Sequence, residues 1–114
     1  MKNALWNLSG YEYWCRDISY SFTDEQKYGN FILAKTENNK LIPLYIGQGN
    51  LHCVKDDIHY SNAKKMGALY ILVHLNEDEE MRRKEMREIL AKHPEAYAPN
   101  VCNEKDDRNG KGKR

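Results

Sequence analysis

The chain has no apolar run that approaches the length of a membrane span, so a membrane is not an expected partner. Its opening segment, MKNALWNLSG, lacks the long apolar core of a secretory signal. Cysteine is scarce: Cys15, Cys53 and Cys102 make an odd number without CxxC spacing. That argues against a disulfide framework or a zinc site and favours free thiols in a reducing cytoplasm. A charge excess is also missing. With 18 Lys and Arg against 17 Asp and Glu, the formal net charge is +1, so no global field selects a polyanion. Any nucleic-acid contact has to rest on a local patch. There is no P-loop, no dinucleotide fingerprint, no HExxH and no GxSxG, and serine-nucleophile chemistry has no support.

What remains suits one soluble domain. The 114 residues are 40% hydrophobic and 31% charged, enough for one modest core. The aromatic, partly alternating stretch YEYWCRDISYSF reads as an edge strand or hairpin. YGNFILAKT and LIPLYIG read as two strands joined by ENNK, whose residues tolerate left-handed backbone, and together they predict an antiparallel hairpin. Pro43 cannot donate to a ladder, so its strand has an open side or a bulge there. Residues 50–66 predict a helix with Asn50 as cap and Gly67 as its end. ALYILVHL is a near-continuous apolar run and the best candidate for a central strand. A second helix is expected from Asn76, with acids in its first turn and Pro94 as its stop. The expected fold is a small α/β (α+β) domain: a central mixed or antiparallel sheet of three or more strands, flanked by helices. Residues 1–27 form an N-terminal aromatic strand or hairpin extension, 28–100 the domain, and 101–114 a charged tail, whose stretch NEKDDRNGKGKR has no apolar residue and is expected to be disordered.

Four side chains from separate elements have the chemistry to hydrolyse a phosphodiester. Tyr45 ends a strand, Lys55 and His59 lie four apart on the expected first helix, and Glu85 lies on the second. A carboxylate can hold a hard divalent ion, the ion can polarise a phosphoryl oxygen, a cation can stabilise the growing charge, and a phenol or imidazole can take a proton from water. His74, at the end of the apolar run, reads as a hydrogen-bonded core or edge residue.

GNFIL, then YIGQGNL, then a helix, the strand GALYILVHLN and an Arg-rich helix with an inner acid resemble the GIY-YIG nuclease superfamily over roughly residues 28–100. The resemblance implies a metal-dependent endonuclease acting on DNA, with magnesium or manganese. Tyr45 would be the base or orient the water, His59 would assist, Lys55 would bind phosphate and Glu85 would hold the metal. Gln48, Asn50, Lys55, Lys64 and Lys65 would contact nucleic acid, and Asn100 would match a late asparagine. Three positions depart from the pattern. Phe31 stands where a tyrosine is usual, Lys55 where an arginine is usual, and the expected acid position holds Met86, one residue from Glu85. Those departures motivate the alternative: a catalytically impaired GIY-YIG-fold module that binds nucleic acid or a protein partner. A protein partner would meet the aromatics Tyr11, Tyr13, Trp14 and Tyr20, which otherwise serve as cover for a small sheet. Arg82, near the middle of the second helix's apolar face, either pairs with Glu85 or orients it on a metal.

Overall fold

The computed structural model describes residues 5–93. Asn100, the 101–114 tail and Cys102 lie outside them. Five strands form one antiparallel sheet: β1 (Leu5–Leu8), β2 (Tyr11–Asp17), β3 (Tyr28–Glu37), β4 (Lys40–Asn50) and β5 (Tyr70–Leu75). Their order is β1-β2-β5-β3-β4, so the apolar run of β5 is the central strand, covered on both faces. The small α+β architecture is therefore as the hydrophobic pattern predicts.

Local chemistry sets the hairpins. Ser9 and Gly10 both have positive φ, the signature of a tight two-residue turn between β1 and β2. Asn38 and Asn39 do the same between β3 and β4, within the ENNK segment. The β3–β4 register slips by one residue between Leu33 and Ala34. The bulge falls beside Pro43, the residue that cannot donate. β2 pairs with β5 from Trp14 opposite Val73 to Asp17 opposite Tyr70, so the N-terminal segment is built into the same sheet.

Two helical layers cover the two faces. On one, a 3₁₀ turn (Leu51–Asp56) and α1 (Ile58–Lys65) pack Leu51, Val54, Tyr60 and Ala63 against Phe31, Leu33, Ile71 and Val73. On the other, α2 (Glu79–Lys92) packs Ile89 and Leu90 against Tyr13, Cys15, Ile32, Ile46 and Leu72. Two expectations need correction here. The segment after Asn50 is not one helix: Asp57 takes extended backbone (φ −82°, ψ 140°), breaks it in two and caps α1 by accepting from His59 N. Lys55 and His59 therefore do not share a helix face. The second helix starts at Glu79 with Asp78 as cap, whose side chain accepts from Met81 N; Asn76 instead accepts from Asp78 N one step earlier.

Candidate functional site

Strand alternation decides which predicted residues can meet. Tyr45 packs on the α1 face, half-buried beside Phe31 at 5.8 Å between ring centroids. Its ring lies flat on His59, 4.3 Å between centroids and 9° between planes. His59 is held by Asp57: its Nδ1 is 2.8 Å from Asp57 Oδ1, and its backbone N–H donates to the same oxygen. Gly47 makes the arrangement possible. A Cβ there would come within 2.7 Å of the Tyr45 ring and 2.8 Å of the Phe31 ring. Beside this group lies a cavity of about 180 Å³, lined by Phe31, Tyr45, Gln48, Asn50, Cys53 and Asp57 among others.

The other expected contacts are dispersed. The Lys55 ammonium donates to the Ser19 carbonyl at 2.7 Å and lines a separate cavity with Tyr20, Phe22 and His52. Asn50 uses its side chain to accept from His52 N, a cap on the 3₁₀ turn. Gln48 lends its carbonyl oxygen to Arg82 Nε at 2.9 Å. Lys64 and Lys65 are exposed at the end of α1, with the Lys64 ammonium 5.5 Å from the Tyr60 ring centre.

Glu85 sits on the opposite face of the sheet from Tyr45, in the layer between β5 and α2. It is 1% exposed and accepts a short hydrogen bond from the Tyr13 hydroxyl. Both of its oxygens lie 2.9 Å from His74 Nδ1. Burial pushes the Glu85 carboxyl above its ordinary range, while the bonds from Tyr13 and His74 oppose that rise. The same burial, with the carboxylate beside it, drives the Tyr13 phenol up. Two residues earlier on β2, Tyr11 donates to Glu88 at 2.7 Å, and that bond above all pushes its phenol up to about 12. Glu85 does not pair with Arg82. The Arg82 guanidinium donates to Gln48 and to the Asn76 carbonyl, and it lies 5.1 Å from the Tyr28 ring centre. Of the two roles expected for Arg82, pairing with Glu85 or orienting it on a metal, neither is seen: each side chain has its own separate set of partners.

A polar row under α2 is what the sequence reading missed. Gln48, Asn30 and His74 are cross-strand neighbours on β4, β3 and β5. From α2, Arg82 and Glu85 reach down onto that row, and Asn30 donates to the Arg82 carbonyl at 2.8 Å. Arg82, Glu85 and Asn30 are the buried polar residues among those described. The signal was available: positions 82, 85 and 89 recur on one helical stripe, and Tyr13 alternates with buried Cys15. Of their two expected roles, the N-terminal aromatics take that of cover for the sheet. Tyr13 is fully buried, and Tyr11, Trp14 and Tyr20 are half-buried, with Trp14, Tyr20 and Phe22 in mutual edge and tilted contacts. They cover the sheet and do not present an exposed aromatic surface.

The donor set does not fit a hard divalent ion at Glu85, because its oxygens are shut from solvent and taken up by Tyr13 and His74. Among the described residues, no group of three or more His, Cys, Asp and Glu side chains converges in a way that would hold a metal. A scan against protein-family models and searches of curated proteins and of solved structures give no match. No helix among the described residues is long and apolar enough to cross a membrane.

Proposed function

We propose that this chain is a GIY-YIG-like module that binds nucleic acid through the Tyr45 face and does not hydrolyse it. The observation that carries the loss of hydrolysis is the split of the reacting groups: Tyr45 and His59 lie on the α1 face, Glu85 on the α2 face. A phosphodiester cannot be held by a base and a metal carboxylate on opposite sides of one sheet, since near-attack geometry needs the reacting atoms about 3–3.5 Å apart. Tyr45 therefore acts as one half of a flat aromatic pair and not as a base.

The binding half of the reading rests on chemistry near that pair. The Tyr45–His59 stack adjoins a small concave surface with Asn50 and the exposed Cys53. Lys55, Lys64 and Lys65 stand exposed on the adjoining helical segments and can meet phosphates as point charges. With a net charge of +1, affinity must come from this local patch, so it is modest and falls with salt. Labelled single-stranded and duplex DNA, titrated with the full chain at several salt concentrations, test it. Binding that weakens with salt and is reduced by Lys64→Glu with Lys65→Glu supports the reading. Binding indifferent to both salt and those substitutions overturns it.

A further inference from the structure

We propose that the cavity on the α2 face of the sheet, near the β3–β4 turn, is a binding site for a small apolar carboxylate. It lies across the sheet from the Tyr45 surface and does not depend on the nucleic-acid reading. The cavity has a volume of about 310 Å³, which is at the small end of the range for ligand sites, about 300–1,000 Å³. Ile32 and Leu72, each no more than 2% exposed, contribute sheet side chains to its lining, and Trp6, Leu41 and Pro43 contribute from the flanking strands. α2 covers part of this face with Ile89 and Leu90, and His93 at its C-terminal end lines the cavity that remains.

Two features at the β3–β4 turn, Lys40 and Asn39, select a carboxylate over a plain hydrocarbon. Lys40 lines the cavity and is exposed, and it makes no ion pair among the described residues. Its cross-strand neighbour Glu37 is already engaged by Lys35, 2.9 Å away. The cation at the rim is thus left for an anion from outside. Trp6, in the cavity wall, keeps its indole N–H buried with no acceptor among the described residues. Trp6 stands on β1 and Lys40 on β4, at opposite edges of the sheet, so the acid group meets Lys40 while the Trp6 indole reports on the apolar end of the occupant. Asn39 adds a side-chain amide beside Lys40 at the turn. The chemistry is an apolar body seated on Ile32 and Leu72, with its acid group toward Asn39 and Lys40.

The test uses the full chain with octanoate, and 1-octanol as its neutral counterpart, by titration calorimetry and two-dimensional NMR of the amide and indole N–H groups. The site predicts saturable one-to-one binding of octanoate below its micelle concentration, with a shift of the Trp6 indole resonance. Lys40→Glu should weaken octanoate by at least about fivefold, as loss and reversal of an exposed charge pair allows, and leave octanol unchanged. Ala34→Leu, which adds volume to the cavity lining, should weaken both. Absence of saturable binding overturns the proposal. So does octanoate binding indifferent to Lys40→Glu, or contact of the Trp6 indole with the chain beyond His93 in the ligand-free protein.

Discussion

Gly47 carries the geometry of the Tyr45 surface, and a single methyl group tests it. Gly47→Ala places a Cβ inside contact distance of both the Tyr45 and Phe31 rings. One ring must move, so urea unfolding should show a loss of about 1–3 kcal/mol, and the His59 ring protons should lose the upfield shift that a stacked phenol imposes. Unchanged stability and shifts would contradict the packing described. At Glu85 the test is pH. Its carboxyl is raised above its ordinary 4.5, so the folded state holds this proton more tightly than the unfolded chain. Its favourable contribution is complete below the ordinary value and is lost as pH rises through the raised one. Glu85→Gln removes that component. The stability of the natural chain relative to Glu85→Gln should therefore fall as pH climbs from about 4.5, measured by urea unfolding across pH. A difference independent of pH would show that Glu85 is not buried as described. Tyr45, His59 and Glu85 were all legible as chemistry-bearing residues, but which face each occupies was not. A shift of one residue in register moves a side chain through the sheet, and the bulge beside Pro43 introduces one such shift.

At the scale of elements, the break at Asp57 changes what the first helical segment presents. Asp57 caps α1 and holds the His59 ring through one carboxylate oxygen. Asp57→Ala should cost about 0.5–2 kcal/mol as a lost cap and free His59 from Tyr45, whereas Asp57→Asn should retain most of the cap. Chemical denaturation with His59 NMR shifts separates these outcomes, and equal effects from both substitutions would contradict the capping role. The strands were readable from alternation and turn residues, and β5 from its apolar run. The break was not, because Leu51, Val54 and Ile58 keep a helical spacing through a residue whose extended backbone interrupts it. In α2, the three-residue spacing of Arg82 and Glu85 allowed either a local ion pair or a metal carboxylate with its orienting partner. Tertiary partners on three different strands took both, since Gln48, Tyr13 and His74 lie directly beneath them.

For the whole molecule, the sheet works as a partition. One face carries the aromatic pair and the exposed lysines of α1; the other carries the polar row, α2 and the apolar cavity. The two cores are independent enough that Leu90→Ala should cost about 2–5 kcal/mol in urea unfolding and yet leave DNA binding of the folded fraction unchanged. Parallel loss of binding under native conditions would join the faces. The most direct measurement of the central claim is a cutting assay. Supercoiled plasmid and single-stranded DNA are incubated with the full chain, with magnesium, with manganese and with chelator. No metal-dependent cutting is expected, together with salt-sensitive binding that Tyr45→Ala weakens. Cutting that disappears with chelator, and in both Tyr45→Phe and Glu85→Gln, would contradict it, because those two residues would then be acting together across the sheet that separates them.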